Sequence, residues 1–171
     1  MPDPIPVHKN KSLADLPGEE WKDIPGFEGS FQASTLGRVK SLDRIILHPR
    51  IKQQFVRGQI LSQSVAKNQN LRTGEPTIDL RVTITVEGIP HYFNTRRIVY
   101  QTFIDPHLDY DRDGLYVINL DGDGYNNRPD NLGLATKSEK QLRHQARPVR
   151  AQPEHRGPLR LEKGLLPVQA R

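Results

Sequence analysis

Nine residues near the middle of the chain, Ile78 to Val86 (IDLRVTITV), alternate apolar and polar side chains at period two. In an extended strand, successive side chains point to opposite faces, so Ile78, Leu80, Val82, Ile84 and Val86 share one face that has to be buried. Such a strand needs pairing neighbours and a covering layer. The residues that follow supply both. Glu87-Gly88 and Ile89-Pro90 read as a turn, His91 to Asn94 is placed to pair back as a hairpin, and Thr95 to Phe103 (TRRIVYQTF) carries Ile98, Val99, Thr102 and Phe103 at helical spacing. Strands followed by a short amphipathic helix set the class as α+β.

The rest of the chain is less regular. Met1 to Pro17 holds four prolines and no apolar run, so 1–18 reads as a flexible leader without signal-peptide character. Order is expected from Trp21, the single tryptophan, through short β-rich runs punctuated by Pro25-Gly26 and Leu36-Gly37. Phe31, Ala33 and Val39 fall on short strands, which places Arg38 and Lys40 together on the face opposite Val39. Asp111 to Gly114 reads as a polar turn. With 35% apolar residues in 171 the core is modest, and with no cysteine there is neither a disulfide framework nor a thiolate metal cluster. No run approaches membrane-spanning length. These features fit an intracellular protein, cytoplasmic or nucleoid-associated.

Charge is unevenly placed. The net charge is +5, but from Lys137 onward there are nine Lys or Arg against three acids, which leaves the first 136 residues slightly negative. A basic tail over 145–171, with prolines at 148, 153, 158 and 167, reads as flexible and as suited to tracking phosphates.

The segment WKDIPGFEGSFQASTLGRVKSL, from Trp21, resembles the modular motif that accompanies HNH nuclease domains in homing endonucleases of phages and bacteria. The resemblance rests on Trp21, Ile24 to Gly29, Phe31, Ser34, Gly37 to Ser41. It continues in RGQIL (Arg57 to Leu61), in RRIVYQTFI (Arg96 to Ile104) and in LYVINLDGDGYNNRPDNLGLATKSEKQLR (Leu115 to Arg143). It implies a small β-rich module over 19–62, an HNH-like domain over 63–144 ending in a ββα-metal unit at 112–144, and disordered termini. It also implies double-stranded DNA as partner, with Arg38, Lys40, Arg96, Arg97, Arg128, Lys137, Lys140 and Arg143 as the cations that would meet it.

The HNH reaction needs a histidine to activate water and a divalent ion, Mg2+ or Mn2+, to stabilise charge on the phosphate. Laid on this chain, the resemblance keeps the frame and exchanges the chemistry. Leu120 to Gly122, Asn127 to Leu132, Thr136, Glu139 and His144 match the family's scaffold. Ile118 stands at the metal-binding Asp, Asn119 at the base His and Lys140 at the second metal ligand, while Asn131 keeps the position that orients the base. Isoleucine has no donor atom, a lysine ammonium repels a cation, and an amide takes up no proton near neutral pH. Loss of a base alone costs about 10²- to 10⁴-fold in rate.

Three readings follow from this pattern. The first is a DNA-binding protein with hydrolysis lost or impaired and no cofactor. The second is an active endonuclease with a displaced metal site around Asp121 and Asp123. The third is a structural subunit that meets a protein partner. Asn119, Asp121, Asp123, Gly124 and Asp130 also fall at positions 1, 3, 5, 6 and 12 of a calcium loop. Asn at the first position, Asp130 after Pro129 at the last and a strand-like approach argue against that loop.

Overall fold

Turns keep the first strands short. In the computed structural model, which describes residues 4–48, 50–69, 74 and 76–146, the chain begins with β1 (Trp21–Asp23), β2 (Phe31–Ser34) and β3 (Val39–Ser41). An antiparallel hairpin of β4 (Arg44–His48) and β5 (Lys52–Val56) precedes β6 (Gln59–Ile60), which closes a sheet of order β1-β2-β3-β6. Next come β7 (Gln63–Gln69), β8 (Pro76–Val86) and β9 (Ile89–Asn94), a second antiparallel sheet with β8 in the middle. Helix α1 (Thr95–Phe103) follows without a loop, then the single turn α2 (Tyr110–Asp113) and β10 (Leu115–Asn119). The described chain ends with β11 (Leu132–Thr136), antiparallel to β10, and α3 (Lys137–Ala146). The protein is mixed α+β and strand-rich.

The alternating segment behaves as its pattern dictates. Leu80, Val82 and Ile84 are buried, and Ile78 and Val86 are half-buried on the same side. The turn is tighter than the sequence suggests: Glu87 (φ 50°) and Gly88 (φ 83°) alone make it, and Ile89 and Pro90 already pair with Val86 and Thr85. Two consecutive positive φ angles match the right-handed twist of a two-residue hairpin, and Pro90 is tolerated because β9 is an edge strand. Asp111 and its neighbours form α2 instead of an open turn.

Helix α1 is shared by two cores. Its Ile98 packs with Ile24, Phe31, Ala33 and Val39 of the first sheet region and with Val82 and Ile84 of β8. Val99 and Tyr100 pack on the other side with Leu108, Val117 and Leu132. The first core therefore crosses the boundary that the sequence places at residue 62. Asn94 starts the helix: its Oδ1 accepts from the Arg96 backbone N–H at 3.2 Å.

The segment before Trp21 is tied down by one buried cation. Arg38 is fully buried, its Nε donates to Glu19 Oε1 at 2.8 Å, and its two terminal nitrogens donate to the carbonyls of Ser12 (2.7 Å) and Ala14 (3.1 Å). A second contact to Glu19 Oε2 completes a bidentate pair. Residues 12–18, read from the sequence as part of a flexible leader, thus join Glu19 in wrapping a guanidinium. Further up the chain, the His8 ring stacks on Tyr125 at 4.9 Å.

Burial alone would raise the Glu19 carboxyl, but hydrogen bonds from Arg38 and the Leu16 N–H outweigh it and hold the group below its ordinary value of 4.5. A depressed folded-state value means that the stabilisation is complete above about pH 4.5 and is lost as pH falls through the folded value. Glu19→Gln, which leaves a buried guanidinium without its counter-ion, is expected to lower the unfolding free energy by about 3–5 kcal/mol at neutral pH in urea titrations. The same variant should show a weaker acid dependence below pH 4.5 than the parent. Equal acid sensitivity of the two would show that this pair does not govern it.

Candidate functional site

Four elements converge on one cleft of about 590 Å³, lined by Asp79 of β8, Arg96 of α1, Ile118 and Asn119 at the end of β10, and Lys140 and Arg143 of α3. Each wall is set by local sequence. Strands β10 and β11 pair in register, Ile118 opposite Gly133 and Asn119 opposite Leu132. Helix α3 starts directly from β11 through a reciprocal cap: Thr136 Oγ1 accepts from the Glu139 N–H at 3.3 Å, and Glu139 Oε2 accepts from the Thr136 N–H at 2.8 Å. This T-x-x-E cap fixes where the helix begins, and so where Lys140 and Arg143, one turn apart, project.

The turn between the two strands is held by its own amides. Asp121 accepts from the Asp123 N–H (2.8 Å), from Asn126 Nδ2 (2.7 Å) and from Asn131 Nδ2 (2.9 Å). Partial burial would push its carboxyl up, but these donors hold it below its ordinary value. Gly124 is buried so closely against β8 that a Cβ there would lie 2.6 Å from the Ile78 carbonyl carbon. Gly37 (φ 82°) makes the matching approach from the other side, where a Cβ would sit 3.1 Å from that of Asn127. Gln63 ties the two regions together: its Nε2 donates to the Gly37 carbonyl at 2.7 Å, and its Oε1 accepts from Thr95 Oγ1 at 3.1 Å.

Asn119 is buried and saturated. Its Nδ2 donates to the Asn126 carbonyl (2.8 Å) and to Asn127 Oδ1 (3.0 Å), and its Oδ1 accepts from an Arg96 terminal nitrogen at 3.2 Å. The other terminal nitrogen of Arg96 lies 2.7 Å from Asp79 Oδ1, an oxygen that accepts no well-directed hydrogen bond, so the attraction there is ionic. Lys140 is half-buried with its ammonium 4.9 Å from the centre of the Tyr116 ring. Desolvation, followed by repulsion from Arg96, lowers the Lys140 value.

The first part of this arrangement, residues 19–74, matches the NUMOD4 motif. The architecture is also similar to a solved structure described as DNA binding and cleavage by the HNH homing endonuclease I-HmuI, with a TM-score of 0.52 and 26% identity over 75% of this chain. Both findings support a relation to HNH homing endonucleases. The chain spans 59% of the I-HmuI chain. Comparison with curated proteins gives no significant match.

Within the HNH frame, Ile118, Asn119 and Lys140 do come together in one cleft, as their motif positions imply. Asn131 does not join them. It braces the turn, with Oδ1 accepting from the Asp121 N–H (3.1 Å) and Nδ2 donating to the Asn126 carbonyl (2.8 Å), while Asn127 makes the direct contact to Asn119. The donor set does not suit a divalent ion: an isoleucine, an amide committed to its neighbours and a lysine stand at the motif positions, Arg96 and Arg143 add positive charge, and the carboxylate Asp79 is paired with Arg96. Asp121 is engaged by three donors and Asp123 by the Tyr125 N–H, and among the described residues no group of three His, Cys, Asp or Glu is placed to hold a metal.

The cations expected to meet DNA divide by geometry. Arg38 is corrected: it shares a face with Lys40 as its spacing implies, but residues 12–19 cover its guanidinium and accept from each of its three nitrogens. Lys40 lies over the Trp21 ring at 4.0 Å and remains partly open. Arg97 lies over Tyr110 at 4.0 Å. Arg128, Lys137 and Arg143 are exposed. The side chain of His144 and the tail from residue 147 lie outside the described residues, and no helix among those described is long and apolar enough to cross a membrane.

Residues that sequence reasoning did not single out include Asp79 and Tyr116, and Asn127 was matched to the scaffold without a role of its own. Asp79 occupied a polar place in the β8 alternation, which carries no sign of an ion pair with Arg96, seventeen residues on. Gly124→Ala is expected to lower stability by about 1–3 kcal/mol by forcing the turn off β8. An unchanged denaturation midpoint would mean that the turn is not seated there.

Proposed function

We propose that the chain is a DNA-binding protein built on an HNH homing-endonuclease scaffold in which phosphodiester hydrolysis is lost. The observation that carries this reading is the state of Asn119 at the base position: a buried amide with both ends committed to neighbouring groups, incapable of taking a proton from water. Ile118 and Lys140 beside it remove the ligands that would hold Mg2+ or Mn2+. The resemblance to the I-HmuI structure, described as one of DNA binding and cleavage, supports DNA as the partner. Lys40, Arg97, Arg128, Lys137, Lys140 and Arg143 are the cations proposed to face it, with Arg96 behind them in the cleft. An endonuclease with a displaced metal site has less support, because the Asp121 carboxylate already braces the turn.

Supercoiled plasmid incubated with the protein and Mg2+ or Mn2+ is expected to stay intact. Metal-dependent nicking that disappears in Asp121→Ala would overturn this reading in favour of a displaced site. The combined variant Ile118→Asp, Asn119→His and Lys140→Asn is expected to gain Mg2+-dependent nicking, because the frame around those positions is in place. Duplex binding should weaken steeply with salt, and removal of the residues after Arg143 should make the slope shallower.

A further inference from the structure

The cleft carries more positive charge than its own carboxylates neutralise. Arg96, Lys140 and Arg143 line it, Arg97 stands next to Arg96, and the acids facing them are Asp79 and Asp121. Asp79 is paired with Arg96, and Asp121 is occupied by a backbone N–H and two side-chain amides. Glu139, one turn before Arg143, is occupied by the helix cap. Lys140 therefore has no ion pair among the described residues, although it is half-buried and held against the Tyr116 ring. Placing cations side by side in a partly desolvated cleft is unfavourable unless an anion joins them.

We propose that this cleft binds a backbone phosphate of DNA directly, with the Lys140 ammonium, flanked by Arg96 and Arg143, supplying the positive charge that a divalent ion supplies in a metal-dependent nuclease. The inference rests on the DNA-binding reading above and adds the site and its independence of metal. The geometry suits the task. Arg96 is oriented by Asp79 and Asn119 and so presents a fixed guanidinium at the back of the cleft. Lys140 and Arg143 project from one face of a helix whose start is fixed by Thr136 and Glu139. Asn119 contributes as a positioning residue, because its Oδ1 holds the Arg96 nitrogen at 3.2 Å. Replacing a dissociable ion by tethered charge also changes the conditions of binding: chelators should leave it untouched.

The test is fluorescence anisotropy of a labelled duplex with the full chain in EDTA, and again in Mg2+ at matched ionic strength. Equal binding in the two buffers is expected. Lys140→Gln should weaken binding about tenfold and reduce the slope of log K against log salt by about 0.9, as for one lost phosphate contact. Lys140→Arg should stay within about twofold of the parent, and Lys22→Gln, at the exposed position of β1, should behave as the parent. Circular dichroism of each variant verifies that α3 and the sheets persist. Binding in EDTA that is indifferent to Lys140→Gln would overturn the phosphate site and leave the DNA-binding reading standing. Binding that appears only with Mg2+ would overturn the replacement of metal by Lys140. A parent that binds no duplex in either buffer would overturn the DNA-binding reading, and the site with it.

Discussion

The close seating of the β10–β11 turn on β8 sets the shape of everything that has chemical interest in this protein. Gly124 lies against the Ile78 carbonyl with no space for a side chain, and from that contact the turn places Asn119 beside Arg96 and Asp121 at the mouth of the cleft. Helix α1 makes the arrangement stiff, since its two flanks bury Ile98 in one core and Val99 in the other. A shift of the turn would disturb both cores and the hydrogen bonds of Asn119 together. Backbone-to-backbone packing of this kind transmits position with little slack, because interiors are as dense as organic crystals.

What could be read in the sequence follows from which interactions have a side-chain signature. The Thr95 to Phe103 helix was legible because apolar residues recurring at a period of 3.6 mark one face of a helix, and the β8 strand because period two marks one face of a sheet. Ile118, Asn119 and Lys140 were legible as neighbours because the spacing of the HNH frame is preserved, and the structure does bring them into one cleft. The fate of Arg38 was not legible. Its partners are the carbonyls of Ser12 and Ala14, which any residue would offer, so a proline-rich polar segment gives no sign that it will bury a guanidinium. That Asn127, and not Asn131, contacts Asn119 was not legible for a similar reason: two asparagines four residues apart differ in partner only once the turn is folded.

The consequence for electrostatics is that the two arginines with the most suggestive positions serve different ends. Arg38 is internal mortar, fully paired and shielded from solvent. Arg96 is also ion-paired, but at the wall of an open cleft, where its remaining field adds to that of Lys140. Net charge alone would have counted them alike. Burial, and the identity of the counter-ion, separate them.

The junction between β11 and α3 has an implication for how this scaffold can change over time. Thr136 is at once the last residue of the strand and the cap of the helix, so strand and helix share a phase with no loop to absorb an error. Each residue of an α-helix advances the azimuth by roughly 100°. One inserted or deleted residue there would swing Lys140 and Arg143 away from Arg96, whereas replacing Lys140 leaves every other direction intact. The frame is thus open to point substitution at the cleft and closed to insertions beside it.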